Sequence, residues 1–190
     1  MSSIIKVDQI QLSDGSTPTA GDLGITGTGK VLQVVSDTVT APYIINPGTT
    51  FTAYPDLAAT ITPTSASSKI YVSAYCTWSG NVVNQDIMIR MARNGSGVFI
   101  GDARNSNVRA THGQGDAVDK VHLSWGSVIF STAFLDSPNS TNSQTYTIQF
   151  LSGFGQSGAI DLGQQGVDAG ATGGEQNTAP ATIVLMEIAG

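Results

Sequence analysis

The first residues in this chain with the types and spacing for chemistry form a glycine-rich stretch with one lysine. Residues 24–31 read GITGTGKV, which nearly spells a phosphate-binding loop, with four residues between Gly24 and Gly29 and Lys30 next. That loop needs Ser or Thr after the lysine and lies between a buried strand and a helix. Val31 takes the Ser/Thr position, and neither flanking pattern is present. We interpret the stretch as a flexible junction.

The two histidines are the next candidates, as metal ligands. His112 lies in a polar stretch near Asp116 and Asp119, whereas His122 alternates with apolar residues. A zinc site normally takes three or four ligands, and the spacing of His112 and the two aspartates is not diagnostic of one. We interpret this stretch as a solvated loop and predict no metal site.

Carboxylates are frequent between the apolar runs, where a glycosidase would need two of them facing across a sugar cleft. No spacing pairs any two, and aspartate is also common in turns for its hydrogen bonds to the backbone. Trp78 and Trp125 have rings that could stack on a sugar, but each lies on the apolar side of its run. We therefore predict no catalytic residue and no cofactor. The aspartates considered are Asp102, Asp116, Asp119, Asp136, Asp161 and Asp168.

The amino-acid composition argues against further classes of function. Charged residues make up 12% of the 190 residues, about half of the usual ~25%, while 40% are hydrophobic. The net charge is −6, with only eight lysines and arginines, and nucleic-acid binding depends on clusters of those cations. We expect no nucleic-acid partner. Cys76 is the only cysteine, which excludes an internal disulfide and favours a small buried side chain.

Membrane insertion and secretion are not indicated either. Lys6 and Asp8 interrupt the first apolar residues, so no signal-peptide core of about 7–15 apolar residues exists. No run reaches the ~18 apolar residues of a spanning helix. We expect a soluble protein made in a cytoplasm.

Period-two alternation is the dominant pattern from residue 31 onward. In SSKIYVSAYCTWSG, Ile70, Val72 and Ala74 begin one face that continues to Trp78. Asn94-Gly95 predicts a hairpin turn between the strands QDIMIRMAR and VFIGDA. Roughly eight such runs separated by turn signals, with no amphipathic helix, predict an all-β fold. We expect an antiparallel β-sandwich, jelly-roll-like, with an extended N-terminal arm.

These differences in sequence pattern divide the chain into two predicted units. Residues 1–30 are predicted to be an arm whose apolar side chains cannot bury one another and need a partner chain, and residues 31–190 a sandwich head. The closing run ATIVLMEIAG is apolar on both faces apart from Glu187, which favours a homo-oligomer that covers both. The arm residues proposed for attachment and assembly are Ile4, Ile5, Val7, Ile10 and Leu12.

Two polar stretches, 102–119 and 153–177, are candidate recognition loops, since loops on a rigid β scaffold often bind ligands. Their amide and hydroxyl side chains suit hydrogen bonds to glycans. The alternative, that they connect strands or pack between subunits, stays open. The candidate residues are Asp102, Arg104, Asn107, Arg109, His112, Gln114, Asp116, Gln156, Asp161, Gln164 and Gln165.

Short phrases along nearly the whole chain resemble the fibre, spike or knob proteins of tailed bacteriophages, of the kind found in phages of aquatic bacteria and cyanobacteria. The phrases are IIKVDQIQLSDGS, GKVLQVV, ATITPTSASSKIYV, RMARNGSGVFIGDA, SPNSTNSQTYTIQF and ATIVLMEIAG. The resemblance implies a homotrimeric virion protein, made in the host cytoplasm and placed on the outer surface of the particle. Its N-terminus would attach to other virion proteins, and its loops are candidates for contact with host-surface glycans.

Several alternatives stay open at the sequence level. A capsid decoration or cement protein, or a baseplate component, would have a similar fold. A small virion glycan hydrolase and a bacterial lectin-like module are the other classes. The absence of a shaft or of a long repeat region keeps the decoration and baseplate interpretations open.

Overall fold

The computed structural model describes residues 11–18, 29–80, 85–114, 127–155, 158–164 and 178–190. Those residues contain twelve strands and no helix, and therefore no helix long and apolar enough to cross a membrane. The strands are β1 (Val31–Val39), β2 (Tyr43–Ile45), β3 (Thr52–Ala53), β4 (Ala59–Ile61), β5 (Lys69–Gly80), β6 (Gln85–Arg93), β7 (Ser96–Val98), β8 (His112–Gln114), β9 (Val128–Asp136), β10 (Gln144–Gly155), β11 (Ile160–Leu162) and β12 (Ala181–Ile188).

The strands form two antiparallel sheets that pack face to face. Sheet A contains β1, β2, β5, β9, β11 and β12, and sheet B contains β3, β4, β6, β7, β8 and β10. In sheet A, β5 is central: β9 pairs along one edge, and β12 and β11 pair one after the other along the opposite edge. The long strands β5, β6, β9, β10 and β12 alternate between the two sheets in chain order. The fold is an all-β antiparallel sandwich, as predicted.

The core lies between the sheets and follows the predicted alternation. On β5, Ile70, Val72, Cys76 and Trp78 are fully buried. Facing them from sheet B are the equally buried side chains of Ile87, Ile89, Met91, Tyr146, Ile148 and Phe150. Core packing of Trp78 and burial of Cys76 are confirmed, and burial raises the pKa of the Cys76 thiol, which therefore stays protonated at neutral pH. Trp125 lies outside the described residues.

A charged contact joins the sheets at one edge of this core. Arg93 on β6 donates to Asp136 on β9 at 2.5 Å, and the Tyr146 hydroxyl on β10 donates to the same carboxylate oxygen at 2.7 Å. Burial, with the contact to Asp136, raises the pKa of the Tyr146 phenol. The three groups fix the position of β9 relative to sheet B.

The predicted turn at Asn94-Gly95 is confirmed, with φ of 50° and 81° at the two residues. Both values are positive, as a two-residue type I′ turn requires. The strand that follows is shorter than VFIGDA predicts, because β7 ends at Val98 and Phe99 takes a left-handed backbone conformation. That change of backbone direction sends residues 99–110 out of the sheet.

Glu187 is the one acidic residue of β12 and points inward, where it is fully buried. Its carboxylate accepts hydrogen bonds from Gln33 Nε2 at 2.6 Å and from the Thr64 amide and hydroxyl at 2.7 Å each. Burial by itself would raise the pKa of Glu187, but these hydrogen bonds outweigh it and lower the pKa from 4.5 to about 2. The anion fastens the segment around Thr64 to β1 and β12.

We predict that Glu187→Gln removes part of the acid sensitivity of the fold. Because the folded-state pKa lies below the unfolded-state value, this carboxylate stabilises the fold fully above about pH 4.5 and loses that contribution as the pH falls toward 2. The difference in pKa corresponds to roughly 3 kcal/mol. Urea unfolding of both proteins between pH 6 and pH 2.5 measures it. The variant should be less stable at pH 6, and most of this difference in stability should be lost at pH 2.5; a difference that does not change with pH would contradict the assignment.

Candidate functional site

The face of sheet A that points away from the core combines apolar side chains with hydroxyl groups and carries almost no charge. The alternation that buries Trp78 turns Tyr71, Ser73, Tyr75 and Thr77 to this side of β5, and the strand register aligns neighbouring strands with them. The outer face of sheet A, so defined, consists of Val34, Ser36, Thr38, Lys69, Tyr71, Ser73, Tyr75, Thr77, Ile129, Ser131, Ala133, Leu135, Thr182, Val184, Met186 and Ile188.

One row of this face is apolar across all four neighbouring strands. Val34, Met186, Tyr71 and Leu135 are successive cross-strand partners from β1 to β9. Val34 and Leu135 are each 57% exposed, and Ile129 is 61% exposed further along β9. Such a contiguous apolar patch is typical of an interaction surface rather than of the free surface of a monomer.

Charge is nearly absent from the outer face. Among its described residues only Lys69 is charged; it lies at the end of β5, and its ammonium donates to the Ser137 hydroxyl at 2.9 Å. Serine, threonine and tyrosine supply the remaining polar groups. A second protein surface can cover such a face without leaving an unpaired charge behind.

The arm residues fall mostly outside this description. Ile4, Ile5, Val7 and Ile10 lie outside the described residues. Leu12 is described and 37% exposed. It opens a local turn in which the Gly15 amide donates to the Leu12 carbonyl at 2.9 Å and the Leu12 amide donates to the Ser16 carbonyl at 2.8 Å. The Leu12 side chain therefore remains available to a partner.

Gly29 and Lys30, at the junction after the arm, lead directly into strand β1 and do not form the end of a phosphate-binding loop. Gly29 donates to the Ala189 carbonyl and Ala189 donates to the Lys30 carbonyl, each at 2.8 Å. β1 follows at Val31, where a phosphate-binding loop would lead into a helix. Pairing with the end of β12 thus begins at Gly29, two residues before the predicted start of the head.

The first candidate recognition loop projects from the edge of sheet B. Asp102, Arg104, Asn107 and Arg109 are all exposed on it. The loop is closed by the Gly101 amide, which donates to the Ala110 carbonyl at 3.2 Å.

Two further contacts order this loop. Arg109 Nε donates to the Gly101 carbonyl at 2.7 Å, and the Asn107 amide donates to the Arg104 carbonyl at 3.1 Å. Under the loop is a cavity of about 390 Å³ lined by Met88, Ser106, Asn107 and Val108. Four of the predicted recognition residues therefore lie together on one exposed loop, which these hydrogen bonds hold in place.

The structure describes only some of the other candidate residues in the stretch 102–119. His112 is exposed on β8. Gln114 is the last residue of β8, but its side chain lies outside the description, and so does all of Asp116. Among the described residues no group of three or more His, Cys, Asp or Glu side chains is placed to hold a metal ion.

The second candidate loop is not a loop over its whole length. β10 extends to Gly155, and Ile160–Leu162 form β11 between β5 and β2. Asp161 is only 3% exposed, and Gln164 Nε2 donates to its Oδ1 at 3.3 Å. Burial raises the pKa of Asp161. Asp161 therefore does not contribute to an open recognition surface, while Gln156 and Gln165 lie outside the described residues.

Sequence reasoning did not single out the exposed apolar residues of β9 or Phe99. Ile129 and Leu135 belong to a run that is apolar on both faces, and this is the signal that identifies them. Phe99 is 56% exposed at the end of β7. No sequence pattern indicates its left-handed backbone.

No known protein-family model matches this chain, and no curated protein sequence matches it. The functional interpretation therefore depends on the surfaces described above.

We predict that Asp161→Asn stabilises the fold at neutral pH. Because the folded-state pKa is raised, the ionised carboxylate lowers stability; this effect is absent below the unfolded-state pKa of about 3.9 and complete above the folded-state pKa. Asparagine keeps the oxygen that accepts from Gln164. Urea unfolding should show the variant more stable at pH 7 and equal to the wild type near pH 3. A variant less stable at pH 7 would refute the unfavourable burial of this charge.

Proposed function

We propose that this chain is a non-enzymatic structural protein of a tailed-phage particle, a homotrimeric tail fibre or spike. Residues 1–30 attach it to other virion proteins, and residues 31–190 form the head on the outer surface of the particle. The mostly exposed residues 102–109, within the first candidate recognition loop at 102–119, form one surface available for contact with host-surface glycans. The protein is made in the host cytoplasm, needs no cofactor and binds no nucleic acid.

The outer face of sheet A is the observation that carries this proposal. Four strands about 4.8 Å apart, each about eight residues long at about 3.3 Å per residue, give a flat area of about 500 Å². Specific interfaces bury about 800 Å² on each partner. Apolar side chains continue beyond this area at the exposed Val31 and Leu32. The face is thus large enough to supply most of an interface between copies.

A cyclic arrangement suits the distribution of the exposed apolar residues. They reach both lateral strands of sheet A, with Val34 on β1 and Ile129 and Leu135 on β9. A copy in a closed ring contacts one neighbour on each side, so it needs suitable surface at both edges. Trimers are also the state that the phage-fibre resemblance implies, and the two arguments together favour three copies.

Four of the described carboxylates have structural contacts that favour a non-enzymatic role. Asp136 accepts from Arg93 and Tyr146, and Glu187 from Gln33 and Thr64. Asp37 accepts from the Ala58 amide at 2.7 Å, and Asp56 accepts from the Tyr43 hydroxyl. These side chains hold segments of the sandwich together.

We predict that a single arginine on the outer face dissociates the assembly. Val34→Arg and Leu135→Arg each replace a side chain that is exposed in one copy, so the cost to the monomer fold is within about 0.5 kcal/mol. In the trimer the same change buries an unpaired charge, which costs several kcal/mol. Light scattering should give about 59 kDa for the wild type, three times the 19.6 kDa of one chain, and one-third of that for each variant.

The matched control is Thr60→Arg, which adds the same charge to an exposed strand residue of sheet B. It should keep the wild-type mass. A monomeric wild type, or variants that keep its mass, would refute assembly through this face; a wild-type dimer would refute the trimer alone.

We predict that deleting residues 1–28 separates attachment from assembly. The cut keeps Gly29 and Lys30, whose hydrogen bonds to Ala189 extend β1, and it leaves the outer face intact. The shortened chain should remain a trimer. In gold-labelled electron microscopy of particles that lack this protein, added full chain should label the particles and the shortened chain should not. Equal labelling would contradict attachment through the arm, and label spread over the capsid would contradict a tail location.

A further inference from the structure

An aromatic ring stands in solvent at the edge of the sandwich. Phe99 stacks one side of its ring on Phe134 of β9, with ring centroids 4.6 Å apart and planes within 2° of parallel. Its backbone φ is +50°, which bulky residues rarely adopt. Strained residues of this kind cluster where a ligand is held. The fold thus keeps an apolar ring 56% exposed although its backbone is strained.

Thr111 holds Phe99 in this position. The Thr111 hydroxyl donates to the Phe99 carbonyl at 3.0 Å and accepts from the Met91 amide at the same distance. The Thr111 amide donates to the Ile89 carbonyl at 2.9 Å. These bonds tie Phe99 to the central strand of sheet B, so the ring is positioned before any ligand arrives.

Beside the ring is a groove of about 290 Å³ between β9 and the segment that carries Thr111. It is lined by Phe99, Thr111, His112, Ile129, Phe130, Ser131 and Thr132. None of these is a carboxylate, a lysine or an arginine. Among the described strands, β9 pairs only with β5, and four of its residues line the groove.

The side chains that line the groove favour some classes of ligand over others. An anion or a cation would find no carboxylate, lysine or arginine among the described lining residues. A purely apolar ligand would bury the hydroxyls of Ser131 and Thr132 without partners, which is unfavourable. A neutral sugar ring has C–H groups on its faces and hydroxyls around its rim, and it matches an aromatic ring bordered by hydroxyl and imidazole groups. The volume is near the lower end of the ~300–1,000 Å³ of small-molecule sites.

The geometry points to this groove as a binding site for one ring of a neutral saccharide. The sugar packs its C–H face on Phe99 and directs its hydroxyls to Ser131, Thr132 and His112. The inference deepens the host-contact part of the proposed function and rests on it for the source of the saccharide, while the chemistry of the groove stands independently.

Saturation-transfer NMR on the full chain tests the site, with methyl α-D-glucopyranoside, methyl α-D-mannopyranoside and methyl β-D-galactopyranoside as separate millimolar probes. At least one should receive saturation, strongest at its ring C–H protons. Phe99→Gly should reduce the transfer at least five-fold, because glycine adopts the same backbone without strain and removes only the ring. Phe99→Tyr keeps the aromatic face and should keep the signal.

Arg104→Ala serves as the control, because Arg104 is exposed on the adjacent loop and does not line the groove. It should leave the transfer unchanged. No transfer from any of the three probes, or equal transfer in Phe99→Gly, would overturn the site. Light scattering on the same samples separates the two proposals: a Phe99→Gly chain that loses its trimer mass would make the groove a contact between copies, and a wild-type monomer that still binds sugar would refute only the assembly.

Discussion

The presence of apolar side chains on both faces of sheet A is the constraint on which the rest of the structure depends. β5 has strands on both edges, a fully buried inner row that ends at Trp78, and an outer row in which Tyr71 lies between Met186 and Leu135. Sheet B covers the inner side. On the outer side, Val34 and Leu135 remain more than half exposed. The core makes one copy fold, and the uncovered side makes contact between copies favourable, since removal of apolar area from water drives both processes.

The low charge of the chain follows from the same constraint. A face that is covered on assembly cannot hold many ionised groups without a desolvation cost, and Ser, Thr and Tyr keep it wettable in their place. Where a carboxylate is buried, the fold surrounds it with donors, as at Glu187. Among the residues that the structure describes, Asp161 has one weak donor, Gln164, and burial raises the pKa of Asp161. The two residues show that burial of an acid is tolerated when hydrogen bonds stabilise its charge, and is unfavourable when they are few.

Local pattern was enough to predict the sandwich, and long-range geometry was needed for the site. The alternation of Ile70, Val72 and Trp78 and the Asn94-Gly95 turn depend on neighbours within a few residues, so the sequence indicates both. The stack of Phe99 on Phe134 joins residues on different sheets, and its left-handed backbone is enforced by Thr111, twelve residues on. Asp161 was assigned to a loop because glycines surround it, yet pairing with β5 makes it part of a strand. In both cases, contacts between residues far apart in the sequence determine the local structure.

β9 connects the outer face of sheet A with the groove. Its odd-numbered residues, such as Ile129 and Leu135, point to the outer face of sheet A, and its even-numbered residues, such as Phe130 and Phe134, point toward sheet B and the groove edge. A slip of one residue in the pairing with β5 would exchange the two sets. The contact of Asp136 with Arg93 and Tyr146 fixes that register from the sheet B side. Ile129 and Ser131 belong to the outer face and also line the groove. Leu135 belongs to the outer face alone, so a substitution there can alter assembly and leave the groove intact.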